Sequence, residues 1–225
     1  MGQGISEILT FAVGVAISPV PIIAVILMLF SERARVNGSA FLVGWVAALG
    51  IVSVAAYLLS DVSDASTSVT ASDTISWGKI ALGVLLVLLA ARTWHTQPGP
   101  REQARVPKWM RGIDQLTAGK ALGLGLALAG VSPKNLILTA AAGASLAQLG
   151  LSATDAAVSL IVFVTIGSLT IATPLVYYLA GGEHSKAQLD AIKGWLTAHN
   201  AAVMTVLLLI FGTNLIATGI PPLTT

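Results

Sequence analysis

The sequence contains no cysteine. A disulfide framework, a thiolate metal site and a CxxC redox pair are thereby excluded. Charge is almost as scarce: Asp, Glu, Lys and Arg make up 10% of the 225 residues, against about 25% in a soluble domain. Too few charges remain to clothe a water-exposed surface. The net charge is only +2, so the pI near 9.1 reflects scarcity rather than a basic patch. A nucleic-acid-binding or disordered chain is excluded on the same ground. What fills the chain is apolar: 55% hydrophobic residues and a mean hydropathy of +0.85. The class is an integral membrane protein.

Six apolar stretches are legible: Ser6 to Phe30, Asn37 to Leu59, Trp77 to Trp94, Ala121 to Leu149, Ala153 to Ala180 and Ala198 to Ile220. Each is long enough to cross ~30 Å of hydrocarbon at ~1.5 Å per residue. Runs such as Val84-Leu85-Leu86-Val87-Leu88-Leu89 lack the alternation of a membrane β-strand, so the fold class is all-α, with six transmembrane helices. No Lys or Arg precedes the first stretch, so it reads as a retained span rather than a cleavable signal peptide.

The few charges then orient the chain. Arg33, Arg35, Arg92, Arg101, Arg105, Lys108, Arg111, Lys120, Lys186 and Lys193 fall in the first, third and fifth connections, which holds ten of the twelve basic residues on one side. The positive-inside rule makes that side cytoplasmic and places both termini outside the cytoplasmic membrane. No acid is read as lying inside a span, Glu7 and Asp155 falling at the outer ends of theirs, and the Asp61–Asp73 stretch is read as an external loop. Trp77, Trp94, Tyr57, Tyr177, Tyr178 and Trp195 sit near span ends, as interfacial aromatics do. One basic residue, Lys134, lies deep inside the fourth span.

Residues 14–23 read Gly-Val-Ala-Ile-Ser-Pro-Val-Pro-Ile-Ile, and residues 128–137 read Leu-Ala-Gly-Val-Ser-Pro-Lys-Asn-Leu-Ile. The offset is 114, half the chain, and each segment opens a set of three spans. Three is odd, so the second set enters the membrane from the opposite face, giving a 3+3 inverted-topology repeat. The domains are residues 1–97 for the first repeat, 98–119 for a cytoplasmic linker and 120–225 for the second repeat. Pro98, Pro100 and Pro107 break the linker, and Lys108-Trp109-Met110-Arg111 reads as a solvated or surface-lying piece of it.

Proline lacks an amide hydrogen and its ring clashes with the carbonyl four residues back. Pro19 with Pro21, and Pro133, therefore break spans one and four. Ser18, Ser132 and Asn135 are the local groups able to serve the freed backbone. In an inverted repeat the two breaks meet, half-helix N-termini carry partial positive charge, and Lys134 adds a full one. That sum favours an anionic group, so the substrate-binding candidates are Lys134, Ser18, Pro19, Pro21, Ser132, Pro133 and Asn135. Lys134 lies fourteen residues past Lys120, about 21 Å along a helix, too far to snorkel. An intramembrane lysine costs at least ~2.5 kcal/mol to insert and marks a functional cavity by default; the bland alternative is a buried structural lysine. Thr165, Ser168, Thr170 and Thr173 before Pro174 are weaker candidates, some able to line a cavity, and Thr213 with Asn214 are similar; all equally suit satisfaction of their own or a neighbouring helix. Gly119 and Gly123, with Gly125 and Gly130, read as close helix packing. His95, His184 and His199 are isolated, and no carboxylate pair, nucleophile elbow or phosphate-binding loop is legible. No catalytic residue, metal site or cofactor is expected.

The paired proline motifs, Ile17-Ser18-Pro19-Val20-Pro21-Ile22 and Val131-Ser132-Pro133-Lys134-Asn135, resemble the lysine exporter (LysE) superfamily, and within it the GAP branch of glycopeptidolipid- and sulfolipid-addressing proteins. The amino-acid exporters of that superfamily carry Pro-Gly-Pro and Asn-Pro-Lys instead, so the lysine after proline is kept while its neighbours differ. The resemblance implies export, or assistance to export, of an anionic envelope glycolipid or related amphiphile. It implies as partners membrane lipids, an anionic lipid or small-molecule substrate, and a larger envelope lipid transporter; a homodimer is a further expectation. Two alternatives stand beside it: an exporter of an amino acid or other metabolite, and a non-transporting scaffold of a lipid-export complex. An open cavity at Lys134 favours transport, whereas a solid core with Lys134 on backbone carbonyls favours the scaffold.

Overall fold

The computed structural model describes residues 2–66, 71–95 and 116–220, the side chains of 61–66, 71–76 and 79 excepted. Among them the chain is helical, with no strand: α1 (Gly2–Ala16), α2 (Pro19–Leu29), α3 (Ala34–Ser66), α4 (Ala71–His95), α5 (Ala118–Gly130), α6 (Pro133–Ala147), α7 (Ala153–Gly181), a short 3₁₀ turn (Gly182–Ser185) and α8 (Lys186–Gly219). The prolines break the helices where the sequence places them. Pro19 and Pro133 each occupy the first turn of a new helix, where a missing amide hydrogen costs nothing. The axis bends by 54° between α1 and α2 and by 65° between α5 and α6.

Two stretches are each long and apolar enough to cross a membrane, Ala34–Ser60 and the 67-residue Ala153–Gly219; the count rises to four if each bent pair forms one span. The apolar part of α4 described in this way, Ile80–His95, is shorter. Helix continues further than expected at several ends. α3 and α4 run into the Asp61–Asp73 stretch where an external loop was expected; residues 67–70 of it lie outside the described set. α1 starts at Gly2, which puts Glu7 on a helix, exposed. α8 begins at Lys186 rather than Ala198, because polar residues pair along its first turns, as in Lys193–Asp190 and Lys186–Glu183. Linker residues 98–115, including Lys108–Arg111, lie outside the described residues.

The helices interlock across the halves of the sequence. α3 packs on α5 and α6, α7 packs on α1 and α2, and α4 runs along α8. Ile8, Phe11, Ala12 and Val15 form the buried stripe of α1, while Leu9 and Val13 on its other side are exposed. The same outward apolarity marks Val43, Ile51 and Leu58 of α3 and Ile161 and Val176 of α7. A rim of exposed hydrophobics on every such helix suits lipid contact, not water. The tight seam between α3 and α5 is made by Gly44 and Gly125, where an added Cβ meets the backbone at Leu122 and Phe41 respectively. Gly119 and Gly123, expected to make such a seam, face open space. Trp45, fully buried, donates its indole N–H to Gly167 O at 3.2 Å and ties α3 to α7.

Candidate functional site

The site follows from what happens to the carbonyls at the end of α1. A helix leaves its last four C=O groups without intrahelical partners, and in a membrane no water is at hand to take them. Here each is met. Ile17 N–H donates to Val13 O. Lys134 Nζ, from the first turn of α6, donates to Gly14 O at 2.7 Å and to Ile17 O at 3.1 Å. The Ser18 hydroxyl lies 2.6 Å from Val15 O. The Ser18 amide and the Thr170 hydroxyl of α7 both donate to Ala16 O.

Ser18 is the hub. Its oxygen accepts from Lys134 Nζ at 2.8 Å, and its single proton serves Val15 O or Asn135 Oδ1, the latter at 3.0 Å. Asn135 uses its other end to donate from Nδ2 to Leu128 O at 3.0 Å, which closes the end of α5. One cluster of Ser18, Lys134 and Asn135 thus serves both helix breaks. All three are buried, Lys134 to 3% exposure.

The electrostatics differ from the expectation. Lys134 was expected to add its charge to positive half-helix N-termini and so to attract an anion. Instead its three N–H groups are all engaged at the first break: two by the carbonyls of Gly14 and Ile17 at the negative end of α1 and one by the Ser18 hydroxyl ahead of α2. The ammonium is held in a packed interior, with no free donor in this conformation. Of the other expected residues, Pro19 and Pro21 are buried in the first turn of α2. Pro133 is exposed, and Ser132 caps α6 by position with no side-chain hydrogen bond.

The weaker candidates divide. Thr165 and Thr213 donate to carbonyls of their own helices, Ile161 and Leu209, and Asn214 is exposed. Ser168 is buried with no partner among the described residues. Thr170 joins the first break, and with Thr173 it lines a cavity, as expected of some of these side chains. That cavity, of about 620 Å³, lies between α2, α7 and α8, with Ile22, Pro174, Ile192 and Trp195 on its walls. No group of three or more His, Asp or Glu able to hold a metal occurs among the described residues.

Long apolar helices, two of them interrupted, with a lysine sealing an interrupted end inside the bundle, define a helical membrane protein whose backbone breaks are chemically provisioned. The family described as Sap, sulfolipid-1-addressing protein (SfLAP), matches residues 8–221, nearly the whole chain, and the chain belongs to that family. No curated protein and no solved structure matches it.

Proposed function

We propose that the chain is a six-span transporter of the cytoplasmic membrane that moves, or assists the export of, an anionic envelope glycolipid or related amphiphile. Membership of a family named for sulfolipid-1 addressing carries this reading. The six spans are the two bent pairs, α3, α4, α7 and α8. Gly182, at φ +54°, breaks the 67-residue stretch, which at ~1.5 Å per residue is about three bilayers long. The 3+3 inverted repeat is supported by reciprocal packing: the helix after each break, α3 or α7, lies on the broken pair of the other half. Inverted repeats with broken helices are a plan of secondary transporters, and the LysE-superfamily relationship, with the basic connections in the cytoplasm and both termini outside, belongs to the same proposal.

In this reading the closed cluster at Lys134 is a resting state. An anionic headgroup reaches the ammonium only by displacing the α1 carbonyls. The second reading, a non-transporting scaffold within a lipid-export complex, is favoured by one observation, the complete engagement of Lys134 at the first break, mostly by backbone carbonyls. A metabolite exporter has no comparable support.

The test is the lipid that co-purifies in mild detergent, identified by mass spectrometry, followed by reconstitution into vesicles. Enrichment of a sulfated, phosphorylated or carboxylated glycolipid over the membrane extract is expected, as is its movement between leaflets by the protein alone. A lipid profile identical to the bulk membrane overturns the substrate class. Enrichment without movement overturns transport in favour of the scaffold.

A further inference from the structure

We infer that the cavity between α2, α7 and α8 is a binding site for one acyl tail of an anionic lipid, entered from the leaflet that holds the α7–α8 connection. The inference rests on the lipid-handling reading for its ligand class. Its physical basis is separate. α7 and α8 are consecutive yet scarcely touch each other, because α2 packs against both and holds them apart. α2 has only eleven residues, about 17 Å of helix, so it fills part of the wedge and leaves the rest open. At about 620 Å³ the space falls within the ~300–1,000 Å³ of small-molecule sites.

Its lining selects the ligand. Ile22, Leu169, Pro174, Ala191, Ile192, Trp195 and Leu196 offer no hydrogen-bonding group to the cavity except the amphipathic indole, and Thr170 and Thr173 are the polar exceptions. The Thr170 hydroxyl is already given to Ala16 O. A polar metabolite finds almost nothing to bond, whereas a hydrocarbon chain does not need to.

The two ends of the cavity differ. The inner end reaches the first break through Ile22 and Thr170. The other end lies toward the start of α8, whose first turns carry Lys186 and Lys193 outside the cavity lining; Lys193 Nζ lies 5.0 Å from the centroid of Phe30, just past the end of α2. Among the described residues each lysine forms an ion pair with an acid more exposed than itself: Glu183 at 74% and Asp190 at 64% side-chain exposure. Exposed pairs of this kind are weak and readily exchanged, so an anionic headgroup can take these lysines while its tail extends toward the break. Positive charge on the first turns of the same helix and hydrocarbon within the cavity match an anionic lipid.

The experiment uses the full chain in vesicles containing phosphatidylglycerol with a diazirine near the tail end, with cross-links mapped by peptide mass spectrometry. Labels are expected severalfold denser on 169–174 and 191–196 than on the outward face of α3 at Val43, Ile51 and Val54. Ala191→Trp, at an exposed position on the cavity wall, is expected to abolish the cavity labels and leave those on α3. Ile192→Trp serves as a second blocking variant should the first fail to fold. Equal labelling of both regions, or cavity labels unchanged in folded blocked variants, overturns the site whatever happens to export. Cavity labelling lost on blocking upholds it; unaltered lipid movement in those variants then counts against the transport reading alone.

Discussion

The two Ser-Pro breaks have nearly the same sequence and opposite surroundings. At the first, Ser18 is 2% exposed and Pro19 is buried, and the carbonyls from Val13 to Ile17 all have donors. At the second, Val131 is 72% exposed, Pro133 is exposed, and Ser132 makes no side-chain hydrogen bond. Its closure comes from the amides of Val131 and Ser132, both on Ala127 O, and from Asn135 on Leu128 O. The repeat mates of Lys134 and Asn135 are Val20 and Pro21, which have no donors to give in return. The side-chain donors that α6 gives to both breaks, Lys134 and Asn135, therefore have no counterpart on α2. A duplicated backbone feature has been provisioned once, from one side, so the first break depends on α6 while the second helps itself.

Substitutions break this comparison in order of size. Lys134→Met keeps the length and apolar stem but strands Gly14 O, Ile17 O and one Ser18 lone pair. Stranded buried acceptors cost about 1–3 kcal/mol each, so a loss of about 2–5 kcal/mol is expected in detergent unfolding. A Val20→Met control, at the repeat mate, is expected to change stability by less than about 1.5 kcal/mol. Equal effects would end the claim that the breaks are unequal. Asn135→Leu removes the shared link and leaves Leu128 O without its side-chain donor, for about 1–3 kcal/mol, in the same unfolding measurement.

The breaks themselves were legible because proline and its paired serine are written in side chains, and because Lys134 stands out in a chain with so few charges. The destination of Lys134 was not. Its main partners are backbone carbonyls, which every residue possesses and no sequence pattern marks. An anion was inferred from helix N-termini, but the lysine turned to a helix C-terminus, a choice set by how α1 packs against α6. The small-residue seam showed a related limit: of the four glycines read as packing, Gly125 makes the close contact with α3, while Gly119 and Gly123 face open space and its partner Gly44 was not singled out, because which face of α5 meets α3 is a tertiary matter. The threonines of the fifth span pointed to a cavity wall but not to its place, since the wedge between α7 and α8 comes from the short α2 inserted between them.

The smallest expected difference is the sharpest test of the comparison. Ser18→Ala removes the acceptor of Lys134 and the donor shared by Val15 O and Asn135 Oδ1. Interhelical hydrogen bonds within membranes are worth about 0.6 kcal/mol on average and up to ~1.7, and Ser18 takes part in two, so a loss of about 1–2 kcal/mol is expected. Ser132→Ala, at the matched position of the second break, removes a hydroxyl with no bond, and a change within about 0.5 kcal/mol is expected, as for a substitution away from any specific contact. Thermal unfolding of the two variants side by side reads the difference directly. A Ser132→Ala loss as large as that of Ser18→Ala would mean that the second break has its own side-chain closure in solution, and the dependence of both breaks on α6 would fall with it.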